Sequence, residues 1–168
     1  MFGFFEKLLA GSGEDRAARD GNKPHLVAAA ALLVEAATAD GEFAASERDR
    51  ISRLLVDRFG LGPFEAGQLL ELAEKRAKEG SDWQGFTKVL KDAYGPEGRI
   101  AVVEMLWEVV LADGALDDFE AALMRQLPSL LYVSDRENAE ARARVRARLE
   151  ADEAEPDGIG AARPPAGG

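Results

Sequence analysis

The residues best able to do chemistry in this chain are acids, and they come in two matched sets. "ATADGEFAASE", Ala37 to Glu47, is echoed by "VLADGALDDFE", Val110 to Glu120. Asp40 and Asp113 stand 73 positions apart, and so do Glu47 and Glu120 (113 − 40 and 120 − 47). The same shift carries Glu35 onto Glu108, Leu33 onto Leu106 and Ile51 onto Met124. An oxygen-only set of this kind suits a hard divalent cation, calcium or magnesium, and it suits equally the bracing of a helix turn.

Each turn reads Asp-Gly-x-apolar-x-x-x-Glu, the second half of an EF-hand calcium loop, which also needs oxygen ligands four and two positions before the aspartate. Those places hold Ala36 and Thr38 in the first copy and Val109 and Leu111 in the second. A standard EF-hand is therefore excluded, and either loop alone is a weak calcium site at best. The bracing account covers Glu47 and Glu120, which fall near the third position of the following helix, where a carboxylate accepts from free amides. Asp117 with Glu120 forms a capping pattern, while Ala44 supplies no cap in the first copy. Bracing covers Glu35 and Glu108 less well. Each lies in a largely apolar helix, where a carboxylate must reach solvent, find a cation or be protonated. The candidate metal ligands are then Asp40, Glu47, Asp113 and Glu120, with Glu35 and Glu108 added by the repeat, and helix-turn bracing stands as the competing account.

Other chemistry is scarce. Cysteine is absent and histidine occurs once, at His25, where it opens a helix and reads as a surface or capping residue. No Gly-rich phosphate loop follows a strand, because no strand-like alternation is present. No catalytic group stands out, and an enzyme would have to run on carboxylates alone. The balance of 21 basic against 31 acidic side chains, net −10, repels nucleic acid and attracts cations or basic partners. Absence of cysteine excludes disulfides and thiolate metal sites.

The elements that position the acids are helical. "HLVAAAALLVEAATA", His25 to Ala39, and "RIAVVEMLWEVVLA", Arg99 to Ala112, are apolar almost all round, as helices inside a bundle are. Helices over Ala44 to Phe59 and Asp117 to Leu131 follow the two turns, the second bent or shortened by Pro128. Pro63 opens another helix to Glu79. Ser81 with Gln84, and Ser134 with Glu137, predict capped starts for helices ending near Ala93 and Leu149. In the last of these, Arg142, Arg144, Arg146 and Arg148 form two rows that Glu137, Glu140 and Glu150 can neutralise at helical spacing, with an acidic partner or phosphate as the second reading. Trp83 and Trp107 read as core anchors.

The expected fold is all-α, one domain of about seven core helices in two related helix-turn-helix halves. Residues 1–24 form a short N-terminal helix and linker, 25–149 the domain, and 150–168 a disordered acidic and Pro/Gly tail. Phe2, Phe5, Leu8 and Leu9 share one side of the N-terminal helix, which folds onto the domain or touches a membrane surface or partner. No run reaches the roughly 20 apolar residues of a membrane span, and the chain reads as cytoplasmic.

From about Leu26 to Leu149 the chain resembles the tellurite-resistance TerB-like family, in its small stand-alone members. The resemblance is carried by "AALLVEAATADGEFAASERDRI", "RFGLGPFEAGQLLELAE", "WQGFTKVL" and "VVEMLWEVVLADGALDDFEAALMRQLPSLLYVSD". It implies an all-helical domain of two related halves whose acidic turns, at Asp40, Glu47, Asp113 and Glu120, are metal-binding candidates. It also implies a stress-response role alongside protein partners. With the thin catalytic inventory, the expectation is a non-catalytic module serving a divalent cation, a protein partner or both. A partner-only domain and a carboxylate-based metal hydrolase are the alternatives.

Overall fold

The computed structural model describes residues 23–38, 43–80, 82–112 and 116–154. Among these residues there are seven helices: α1 Pro24–Ala37, α2 Ala45–Phe59, α3 Pro63–Lys78, α4 Trp83–Ala93, α5 Pro96–Leu111, α6 Asp118–Leu130 and α7 Asp135–Ala154. The described residues contain no strand. The predicted all-α fold is therefore the observed one. The N-terminal segment at Phe2 to Leu9, both Asp-Gly pairs, and the tail beyond Ala154 lie outside the described residues. α7 runs five residues past Leu149, through a stretch of Ala and acidic side chains that are exposed up to Glu153.

The two apolar helices lie at the centre, as their lack of a polar face requires. Every residue of α1 from His25 to Val34 is buried. Proline at the first position of α1, α3 and α5 costs no hydrogen bond, because the amide it removes has no partner inside the helix. α1 packs chiefly against α3, and α5 chiefly against α7, so α1-α2-α3 and α5-α6-α7 are equivalent halves joined by α4. The 73-residue shift holds for the first two helices of each half. The third helix matches at 72, because α6 reaches its left-handed terminal residue one position sooner than α2. That residue is Gly60 (φ 71°) in the first half and Tyr132 (φ 62°) in the second. At this shift Leu69 and Ala73 fall on Ala141 and Val145, all four buried.

Helix ends follow the capping rules with one change. Ser134 and Glu137 form the expected reciprocal box: the Glu137 amide donates to Ser134 Oγ at 3.1 Å and the Ser134 amide to Glu137 Oε1 at 3.0 Å. At α4 the cap is Asp82, whose Oδ1 accepts from the Gly85 amide at 3.0 Å, in place of the expected Ser81, which lies outside the described residues.

Pro128 sits in the last turn of α6, which ends two residues later. Lacking an N–H, it leaves the carbonyl of Met124, four residues earlier, without its helical donor. Asn138 of α7 replaces that donor, Nδ2 to Met124 O at 3.2 Å, and its Oδ1 accepts from the Trp107 indole at 2.8 Å. Both tryptophans pack on the core as expected, Trp107 buried and Trp83 half-buried.

His25 corrects the sequence reading. It is buried and meets the Tyr94 ring edge-on, with centroids 5.2 Å apart, because the start of α1 is covered rather than open to solvent. Tyr94 is itself buried against Gly98, where an added Cβ would come within 2.8 Å of Tyr94 Cβ. Burial pushes the Tyr94 hydroxyl above its ordinary value of 10.0, and among the described residues that oxygen has no hydrogen-bond partner. The folded state therefore keeps a proton that the unfolded chain releases near pH 10, and stability falls as pH rises beyond that point. Tyr94→Phe is expected to stabilise by about 1 kcal/mol at pH 7, since an unsatisfied buried hydroxyl is removed. Its advantage should widen above pH 10 by up to about 1.4 kcal/mol per pH unit. Urea denaturation of both proteins at pH 7 and pH 10.5 measures this, and a constant gap would overturn it.

Candidate functional site

The acids singled out by the repeat occupy two kinds of position. Glu47 and Glu120 stand at the third residue of α2 and α6. The Ala44 amide donates to Glu47 Oε1 at 3.0 Å, and the Asp117 amide to Glu120 Oε1 at 3.1 Å. In the second half Asp117 Oδ1 also accepts from the Glu120 amide at 2.8 Å, completing the box that Ala44 cannot form. Each glutamate thus braces the first turn of its helix and sets a negative charge at the positive end of the helix dipole, worth about 0.3–1 kcal/mol. Asp40 and Asp113 lie outside the described residues.

Glu108 meets a different fate. It is half-buried near the end of α5, and its Oε2 accepts from Arg58 of α2 and, at 2.6 Å, from Arg148 Nη2 of α7. One turn earlier, buried Glu104 accepts from Arg144 Nε at 2.6 Å and from Arg148 Nη1 at 3.3 Å. Arg148 is shared between the two carboxylates. Partial burial opposes its charge, but the hydrogen bonds and charges of Glu108 and Glu104 outweigh that, holding it above its ordinary value. The sequence reading left Glu108 to reach solvent, find a cation or be protonated, and it meets a cation, arginine. The arginines of α7 were expected to pair along their own helix with Glu137, Glu140 and Glu150. Instead Arg144 and Arg148 reach across to α5, where a buried carboxylate offers a stronger partner than an exposed one. Arg136 with Glu140 keeps the helical spacing, at 3.2 Å, and Glu137 is spent on its cap.

Glu35 lies half-buried in the last turn of α1, next to Thr38, whose hydroxyl donates to the Val34 carbonyl at 2.8 Å. Of the two acid sets, Glu47 and Glu108 stand well apart along α2. Glu47 is at the start of α2, whereas Glu108 is tied to Arg58 near its end. Eleven residues of helix separate those points, about 16 Å at 1.5 Å per residue, so Glu47 and Glu108 cannot share an ion. For a calcium or magnesium ion, Glu108 is a poor ligand, since guanidinium groups already neutralise it. Glu47 fits better, because a carboxylate that accepts one amide keeps further lone pairs for a second contact, and Glu120 holds the equivalent place in the second half. A cation site at Glu47 would therefore not include Glu108.

Sequence reasoning missed Glu104, Arg58 and the long-range choice made by Arg144 and Arg148. Glu104 carried a usable signal: like Glu108, it is a carboxylate inside a helix too apolar to leave it alone.

The architecture defines a class: an all-helical domain built from two three-helix halves, each with a glutamate bracing the start of its second helix. A family model described as "Tellurite resistance protein TerB" matches residues 26–143, and the chain belongs to that family. No curated protein and no solved structure matched the chain.

Proposed function

We propose that this TerB-family chain is a non-catalytic helical module that offers each acidic turn to a divalent cation, calcium or magnesium, and couples that state to a protein partner. The supporting observation is that Glu47 and Glu120 occupy the same backbone-braced place in both halves, one residue type at one position of two separate turns. Asp40 with Glu47, and Asp113 with Glu120, would hold the ion, two independent sites of hard oxygen ligands. In the cell such a module belongs to a stress response of the tellurite-resistance type, in the cytoplasm.

Adding millimolar calcium or magnesium to the chelator-treated protein is expected to raise its melting temperature. At ten times Kd the linkage is about 1.4 kcal/mol, roughly 3–8 °C for a domain of this size. Asp40→Ala with Asp113→Ala should abolish the rise while leaving the helical circular-dichroism signal unchanged. No rise in the parent protein sinks the cation reading and leaves the module as a partner-binding domain whose turn glutamates serve only as caps.

A further inference from the structure

A groove of about 790 Å³ runs between α6 and α7, with Trp107 and Met124 among its lining residues. The first half provides its internal reference. There α2 and α3 pack closely, Leu70 is buried, and an Arg48–Glu74 ion pair ties the two helices together. In the second half Leu70 becomes Arg142 and Glu74 becomes Arg146, at the 72-residue shift, while Arg48 becomes Ala121, at the 73-residue shift. The counterpart cleft has thus lost its apolar plug and its ion pair, and α6 and α7 touch far less than α2 and α3 do.

What replaces them, among the described residues, is positive charge with no carboxylate partner. Arg142 lies over the Trp107 ring at 5.1 Å, with its Nε buried and without a hydrogen-bond partner among the described residues. Arg146 lies one turn further along α7, and Arg125 on α6 also lines the groove. Among the described residues no carboxylate pairs with these three arginines, although the chain as a whole carries −10. Asn138 fixes the floor by joining Trp107 to α6. The α7 wall is low, because Ala139, Ala143 and Ala147 recur along it at four-residue spacing.

We propose that this groove docks an acidic amphipathic helix of a partner protein. Its apolar face would lie on half-buried Leu116 and exposed Ala139, Ala143 and Ala147, above the buried Trp107 and Met124, and its central carboxylates would meet Arg125, Arg142 and Arg146, supplying the ion pairs that the first half makes internally. Asp135 and Glu150 also line the groove, 15 positions apart on α7, about 22 Å at helical rise. They favour a helix of about four turns with neutral or basic ends. The same two acids and the net charge work against a continuous phosphate backbone, and two copies of a chain at −10 repel each other. The proposal names the partner chemistry for the interaction half of the reading above. It uses none of the turn acids, so the two can fail separately.

The test uses the full chain with Trp83→Phe, which leaves Trp107 as the sole indole. The probe is a synthetic 15-residue helix with leucines at i, i+3, i+4 and i+7 and three central glutamates; its control carries lysines at those three places. The glutamate peptide is expected to shift Trp107 emission and saturate, and to bind at least tenfold more tightly than the lysine peptide. Arg142→Gln with Arg146→Gln should weaken binding at least tenfold, and Arg136→Gln, on an exposed Arg136–Glu140 pair, should change it less than twofold. If Trp83→Phe unfolds the chain, anisotropy of the labelled peptide with the parent protein gives the same readout. If the double variant unfolds, Arg125→Gln takes its place. No binding, equal binding of the two peptides, or an unaffected arginine variant overturns the proposal. So does tighter binding of a 15-nucleotide oligothymidylate, which would assign the groove to nucleic acid. A dimer in light scattering that the arginine variant abolishes also overturns it, assigning the groove to a second copy. Loss of the peptide signal while the cation-induced melting shift persists would remove the groove and leave the cation reading standing.

Discussion

Glu104→Ala is expected to lower the unfolding free energy by about 3 kcal/mol, the lower end of the cost of breaking a buried ion pair by removing one partner. The loss comes from both sides of the pair. Glu104 is buried, with a side chain 9% exposed, and removing it strips Arg144 of its partner and Arg148 of one of its two. Those arginines are 47% and 40% exposed, so they can turn partly to water, which keeps the cost from the top of the range. Because Arg148 also bonds Glu108, Glu104→Ala and Glu108→Ala should not be additive, and a double-mutant cycle would show a coupling of about 0.5 kcal/mol or more. Equilibrium urea unfolding of the four proteins reads both numbers. A change below about 1 kcal/mol in Glu104→Ala would show that α7 is held by its apolar contacts at Ala141, Val145 and Leu149 and that the arginine network adds little.

Asn138→Ala should cost about 2–6 kcal/mol, from two buried groups losing their partners at about 1–3 kcal/mol each. The Trp107 indole N–H loses its acceptor, and the Met124 carbonyl, already deprived of a helical donor by Pro128, loses its substitute. Asn138→Asp separates the two effects. It keeps an acceptor for the indole but presents oxygen to the Met124 carbonyl, so it should be destabilised at neutral pH and recover as the carboxyl is protonated. Urea unfolding at pH 7 and pH 4, referenced to the parent at each pH, checks the sign. A single asparagine thereby links three helices, α5, α6 and α7.

The contrast between these residues and the glutamates of the turns explains what could be read from sequence. Glu137 with Ser134 and Glu120 with Asp117 are legible because their partners lie three residues away, and the helix geometry leaves little else for them to do. The central helices are legible because they lack a polar face. Glu104, Arg58 and Arg148 are not, because their partners stand 40 to 50 positions away and only the packing of α2, α5 and α7 brings them together. For the same reason Arg144 and Arg148 look like members of a solvated row until α5 is in place. His25 reads as exposed because the residue that covers it, Tyr94, lies beyond α2, α3 and α4 in the chain. The duplication was legible, but only in one register. The 73-residue shift comes from the turns, and the third helix follows at 72, so Arg142 and Arg146 are not aligned from sequence with the buried Leu70 and paired Glu74 they replace.

That slipped register has a consequence for how the molecule can change. A chain holding two copies of one architecture keeps a working blueprint in one copy while the other varies. Here α1-α2-α3 keeps the sealed version, with glycine at its left-handed corner and oppositely charged side chains locked across its cleft. α5-α6-α7 accepts Tyr132 at the same corner and arginines where the seal stood, and it has spread open without losing its place against the shared centre. Reverting the second copy toward the first, with Arg142→Leu, Arg146→Glu and Ala121→Arg, therefore supplies a recipe for closing the groove that is already written in the protein's own other half.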